Sequence, residues 1–353
     1  MTTATESAAA RPELLAFLEG AGLDPGSLMP LAGDASARRY FRVAARHQQY
    51  VLMDAPRPAN ESMAFFVTVT RWLRGRGLSA PEVLAADLDH GLVLLEDLGD
   101  TLYARMLEPG PRPHDEAELY AAAVDLLATL PAGAAPEGTE PYGRDILLRE
   151  ARLATDWWAA GTGHALPPDA LAEYEAMLGE ALSPALLEPS QGVTTLRDYH
   201  AENLLWLPGR AGLARVGLLD YQDALIGHPA YDLVSLLEDA RRDTDETLRS
   251  AMLARYLATQ GIAGDASEGF RAAYAALGAQ RNLKIVGIFA RLCLRDGKPR
   301  YVDLIPRVWA HLERDLTAPG LASLRRFVAA HVPAPSGELR ARIAARAGRG
   351  IAA

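Results

Sequence analysis

Three short polar side chains carry most of the chemistry legible in this chain: Asp198 and Asn203 in LRDYHAENLLWL, and Asp220 in the later VGLLDYQDA. Moving a γ-phosphoryl group is a problem of charge: divalent cations must bridge the phosphate oxygens while a carboxylate orients the attacking hydroxyl. An Asp followed five positions later by an Asn, with a second Asp at a nearby strand end, supplies one orienting group and two hard oxygen ligands. Asp198 and Asn203 have that spacing. The pattern predicts phosphoryl transfer, with Asp198 at the acceptor hydroxyl and Asn203 and Asp220 on a metal ion.

Each of these residues alone would be ordinary, as an Asx turn or a strand-end Asp. The flanking segments make the pattern specific. Residues 204–207 form a short apolar run ended by Pro208 and Gly209, and residues 216–219 form another that stops directly at Asp220. Two such runs around a turn predict a hairpin, which holds Asn203 at one end and Asp220 at the neighbouring end.

Upstream, residues 12–21 have a helical pattern, and residues 28–56 alternate as strand, polar turn, strand, turn, strand. Residues 60–62 cap a predicted helix running to about Gly75, with Met63, Phe65, Phe66, Val69, Trp72 and Leu73 as its apolar stripe. Residues 81–86 and 91–95 add two strands. From Thr101 the pattern changes to long Ala- and Leu-rich amphipathic segments separated by Pro/Gly loops, interrupted only by the hairpin. The expected fold is α+β: an N-terminal antiparallel sheet lobe over residues 1–100 and a larger helical lobe over residues 101–353, with a ligand in the cleft between them. The tail GELRARIAARAGRGIAA is a solvated helix in this reading.

Composition sets the outer bounds. The chain has 353 residues, 49% of them hydrophobic, but no stretch approaches the roughly 18 consecutive apolar residues of a membrane span. Its first residues lack a basic start followed by an apolar segment, so no signal peptide is expected and the cytoplasm is the predicted location. A single cysteine, Cys293, excludes an internal disulfide and any multi-cysteine zinc site. The net charge of −9 argues against nucleic acid as a partner. No membrane partner and no particular oligomeric state is implied. His200 and His228 fall near the predicted site and are expected to be structural.

GDASARRYFRV, YVLMDAP, PEVLAAD, LLEDLGD, LRDYHAENLLW, LLDYQDALIGHPAYDLVSLL and QRNLKIVGIFARL together resemble the aminoglycoside-phosphotransferase-like kinases. Within that family the nearest likeness is to the bacterial branch that phosphorylates the anomeric hydroxyl of N-acetylmuramic acid and N-acetylglucosamine in peptidoglycan recycling. The likeness covers roughly residues 12–330. It implies a two-lobed protein-kinase-like fold, ATP as cosubstrate, Mg²⁺ as metal and an amino sugar as small-molecule partner. Carried onto this chain, it implies Asp198 as the base or orienting group and Asn203 and Asp220 as magnesium ligands. Glu96 and Leu98 resemble the segment whose backbone pairs with adenine, though a plain strand end and turn fits as well. Gly33 and Ser36 resemble the loop over the phosphates. Asp232 looks like the aspartate that anchors the catalytic loop.

One departure stands out. Met53 occupies the strand position where a phosphate-binding lysine is usual, and the only lysines are Lys284 and Lys298. Arg38, Arg39 and Arg42 are the candidate replacements; alternation sends Arg39 and Arg42 to opposite faces, and Arg39 is the one favoured, with Glu61 as its partner or as a helix-dipole residue. On the acceptor side the candidates are Arg149, Glu150, Trp157 and Trp158, with core packing or a solvated helix as the alternatives. Arg281 and Lys284 are placed to meet a lactyl carboxylate or to line a solvated face. The expected activity is ATP-dependent formation of a sugar α-1-phosphate. Another small hydroxyl acceptor such as an aminoglycoside, choline or homoserine is the alternative, as is a nucleotide-binding regulator without catalysis.

Overall fold

The computed structural model describes residues 11–31, 38–45, 48–55, 63–108 and 114–351. The chain forms two compact units. One comprises Met1–Asp115, Pro136–Gly138 and Ala201–Ala224, and the other Glu116–Ala135, Thr139–His200 and Leu225–Ala353.

The first unit is built on five antiparallel strands: β1 (Met29–Leu31), β2 (Arg39–Ala45), β3 (Gln48–Asp54), β4 (Val83–Asp87) and β5 (Leu92–Glu96), in the spatial order β1-β2-β3-β5-β4. Alternation along the strands sends Phe41, Val43, Leu52, Leu92 and Leu94 to one face, where they bury against Leu14 and Leu18 of helix α1 (Pro12–Gly20). Each such side chain contributes about 1.5–3 kcal/mol when fully buried. Helix α2 (Met63–Arg74) buries Met63, Phe66, Val67, Val69, Thr70 and Leu73. Phe65 and Trp72, expected in that stripe, are only half-buried, and the Arg76 guanidinium lies 3.7 Å over the Trp72 ring. The helix ends because Gly77 adopts φ +75°, which lets Gly77 N–H reach Arg74 C=O and Leu78 N–H reach Leu73 C=O. The expected capping residues 60–62 lie outside the described residues.

The hairpin pairs Leu204–Trp206 with Val216–Leu218, Leu204 opposite Leu218 and Trp206 opposite Val216. Its outer edges are also occupied. Leu218 N–H donates to Ser79 C=O at 2.9 Å, and Trp206 N–H to Thr101 C=O at 2.8 Å. These bonds tie the hairpin into the sheet-bearing unit, whereas the sequence reading assigned it to the helical lobe behind a single boundary near residue 100.

The second unit is mainly helical, with one short strand pair, Val193–Thr195 against Leu225–Gly227. Its axis is the 30-residue helix Asp265–Leu294. That helix packs hard against the chain at Leu153. A Cβ on Gly287 would sit 2.1 Å from the Leu153 carbonyl carbon, so only glycine fits. Every residue of helix Ala230–Leu237 is buried. Trp158 is buried as well, its indole N–H donating to Pro333 C=O at 2.7 Å, which settles its role as core. Among the described residues no helix is long and apolar enough to cross a membrane.

Candidate active site

In the second unit, the turn that carries Asp198 is fixed by its own backbone. Arg197 adopts φ +69°, a left-handed conformation that costs a non-glycine residue of order 1 kcal/mol or more. Clamps on both sides hold it there. The Asp232 carboxylate accepts the N–H groups of Leu196 at 2.6 Å and Arg197 at 2.8 Å. The Arg197 carbonyl accepts from Ser235 Oγ at 3.0 Å and from Arg281 at 3.4 Å. Asp232 and Ser235 are one turn apart on helix Ala230–Leu237, so one helix end grips both sides of the peptide. Asp232 is therefore the anchor that the sequence implied. Burial lifts its carboxyl to about 7, against the two N–H donors that favour the charged form.

The Asp198 side chain is 43% exposed and lies 3.9 Å from the Arg281 guanidinium. Its surroundings disfavour charge by desolvation, but Lys284, Arg281, His200 and Arg197 outweigh that and hold its carboxyl below the ordinary carboxylate value. It is ionised at neutral pH. Such a group orients a hydroxyl and accepts its proton late.

Glu150 sits at the centre of a charge cluster that its helical pattern did not reveal. Its side chain, 13% exposed, accepts from Tyr142 Oη, from Arg197 and from Lys284 Nζ at 3.0 Å. With its one proton given to Glu150, Tyr142 Oη accepts from Tyr231 Oη at 2.9 Å, and Lys284 Nζ donates to Tyr231 Oη at 3.3 Å. Desolvation pushes the Glu150 carboxyl up, but Lys284 and Arg197 bring it below its ordinary value. Glu150 and Lys284 are thus enclosed partners, and Arg281, bonded to Ser235 Oγ at 2.6 Å, is buried too; none of the three lines a solvated face. Arg149 is exposed and Trp157 half-buried, and neither contributes a hydrogen bond to this cluster among the described residues. Sequence reasoning missed Arg197, Tyr142 and Tyr231. Arg197 alone had a visible signal, its place directly before Asp198.

Both histidines near the motif are structural. Burial pushes His200 and His228 down to about 4, and His228 Nδ1 accepts the Ala230 N–H at 3.1 Å.

In the first unit, Leu219 N–H donates to Asn203 C=O at 2.9 Å, extending the hairpin by one pair and placing Asp220 next to the Asn203 strand end. Asp220 adopts φ +58°, a conformation that Asp tolerates better than most residues. The following Tyr221 secures the turn: its ring stacks on Phe66 of α2 at 5.4 Å, and its hydroxyl bonds Thr70 Oγ1 at 2.8 Å. Gln222 Nε2 donates to Asp220 Oδ1 at 2.9 Å. The Asp220 side chain remains 45% exposed. An amide oxygen and an exposed carboxylate at adjoining strand ends suit Mg²⁺, which takes one or two protein oxygens and completes its shell with water and phosphate. Among the described residues no group of three His, Cys, Asp or Glu side chains forms a self-sufficient metal cage.

The remaining nucleotide-side candidates divide. Gly33 and Ser36 lie outside the described residues. The Glu96 carboxylate is bonded to Arg74 at 3.3 Å, to Arg210 and to the Glu82 N–H at 3.2 Å, so only the Glu96–Leu98 backbone remains for a base edge. Arg39 does not have the role expected of it. It shares the α1 face with Phe41 and Val43, where it pairs with the fully buried Asp54 at 2.5 Å, and Arg11 binds the same carboxylate. Alternation does put Arg39 and Arg42 on opposite faces, but Arg42 is bound to Asp97 at 2.5 Å and to Asp100 at 3.0 Å. Arg38 is the arginine beside a metal-ligand candidate, 3.8 Å from Asp220 Oδ1.

A model of a phosphotransferase enzyme family matches residues 27–270. An N-acetylmuramate/N-acetylglucosamine kinase of Caulobacter vibrioides is 41% identical over 94% of this chain and 99% of its own length. One from Pseudomonas aeruginosa is 38% identical over 90% of this chain and 92% of its own. Among solved structures, a microcompartment-associated aminopropanol kinase has TM-score 0.62 at 14% identity, covering 88% of this chain and 97% of that one. A choline/ethanolamine kinase family protein from Mesorhizobium loti has TM-score 0.58 at 18% identity, covering 92% and 98%. These two establish a likeness of fold.

Proposed function

The chain belongs to the phosphotransferase enzyme family, and from that premise we propose that it is an ATP-dependent kinase acting on the anomeric hydroxyl of N-acetylmuramic acid and N-acetylglucosamine, in the cytoplasm, for cell-wall recycling. In this reading the sugar hydroxyl oxygen attacks the γ-phosphorus, the bond to the β–γ bridging oxygen breaks, and ADP and the sugar α-1-phosphate result. The hydroxyl proton passes late to Asp198. Asn203 and Asp220 would hold Mg²⁺, which would neutralise charge on the phosphate oxygens. The observation that carries the chemistry is an ionised, half-exposed Asp198 on a turn clamped by Asp232, Ser235 and Arg281.

Support for the acceptor is electrostatic as well as by kinship. Around Asp198 and Glu150 stand three cations, Arg197, Arg281 and Lys284, and burial raises the third nearby carboxyl, Asp232, to about 7. A cluster without net negative charge accommodates a muramic sugar with its lactyl carboxylate and offers little to a polycationic aminoglycoside. The test is incubation with ATP, Mg²⁺ and a panel of sugars and aminoglycosides, followed by phosphorus NMR. A sugar 1-phosphate from either amino sugar is the expected product, and absence of turnover on both removes the proposal.

A further inference from the structure

We infer that Arg38 delivers to the nucleotide phosphates the positive charge that a lysine in the middle of β3 would otherwise bring. The inference rests on the kinase reading above. Position 53, where that lysine is usual, is a buried Met, and both lysines of the chain belong to the second unit. A phosphate site in the first unit must therefore draw its cation from arginine.

The face of the sheet excludes Arg39, and carboxylate pairing engages Arg42. Met53 pairs with Tyr40 across β2 and β3, on the face opposite α1. Arg39 points to the α1 face and is engaged by Asp54, while Arg42 is engaged by Asp97 and Asp100. The Arg38 guanidinium bonds the Tyr40 hydroxyl, on the Met53 face, and its side chain is only 12% exposed. At 3.8 Å it interacts with Asp220 by charge and not by a good hydrogen bond. A guanidinium placed there matches phosphate oxygens bidentately.

The competing account makes Arg38 a mere counter-ion for Asp220, and the two accounts differ in sign. A cation beside a metal ligand opposes Mg²⁺, so removing a simple counter-ion leaves Mg·nucleotide affinity unchanged or raises it. Removing a phosphate ligand lowers it. Calorimetric titration of Mg·ADP separates them, each variant first being checked for a cooperative thermal transition. For Arg38→Met the dissociation constant is expected to rise by about tenfold or more, while Arg39→Met stays within about twofold of wild type. Adding Met53→Lys to Arg38→Met is expected to restore part of the loss, and Arg38→Lys, which keeps the charge, to fall in between. An unchanged or tighter constant for Arg38→Met, or for Arg38→Lys alongside no rescue by Met53→Lys, overturns the inference and leaves the kinase reading standing. Wild-type protein that binds no Mg·ADP overturns both.

Discussion

The turn bearing Asp198 and the turn bearing Asp220 are positioned by different means. Asp198 belongs to a network of side chains: Asp232, Ser235, Arg281, Arg197, Glu150 and Lys284 hold one another in place. Asp220 is placed by main-chain register and by one tyrosine packed on α2, and its half-exposed carboxylate meets Gln222 and Arg38. The first arrangement stores stability in its polar groups. The second, in the proposed reading, would serve an ion that arrives with the nucleotide.

Substitutions can break this contrast. The largest effect is expected from Asp198→Asn, a loss of about 10²–10⁴-fold in turnover with nucleotide affinity retained, read by steady-state kinetics alongside calorimetry. Asp220→Ala should lose turnover together with Mg²⁺-dependent nucleotide binding; equal nucleotide affinity with and without Asp220 would remove its metal role. Stability should separate the two regions as well. Glu150→Ala strands Arg197 and Lys284 in an enclosed site and is expected to cost about 3–5 kcal/mol in urea unfolding, against about 1 kcal/mol or less for Asp220→Ala. Similar losses at both positions would abolish the distinction.

A pH dependence is expected in the second unit. His200 and His228 are held to about 4 by burial, below an ordinary 6.5. A depressed folded-state value means the neutral ring is favoured by folding, so this stability is fully present above about 6.5 and is lost as pH falls towards 4. Each histidine contributes of order 1–3 kcal/mol across that window. Buried Asp232, raised to about 7, acts in the opposite sense over this window, so the test is the difference: between pH 7 and 4.5 the unfolding midpoint of His200→Gln should gain on that of the wild type, and parallel profiles would show that His200 is not the titrating group.

Local pattern made much of this molecule legible. The hairpin, the five strands and α2 follow from apolar periodicity punctuated by Pro208, Gly209 and Gly75, all short-range signals. The choice among Arg38, Arg39 and Arg42 was not legible, because alternation separates two faces without saying which one α1 covers; that depends on Leu14 and Leu18 meeting Phe41. Glu150 was equally opaque. Its partners come from positions 142, 197 and 284, and only the folded chain gathers them. For the same reason the hairpin's allegiance to Ser79 and Thr101 left no mark in its own residues.

Arg197 lends its carbonyl and amide to the loop and its guanidinium to Glu150. If Glu150 holds the acceptor and Asp198 orients its hydroxyl, as proposed, recognition and alignment are inherited together. Directed evolution towards a new sugar that begins by exchanging Glu150 should lose rate before it gains selectivity, and libraries that vary Glu150 and Lys284 jointly while keeping Arg197 offer the shorter route.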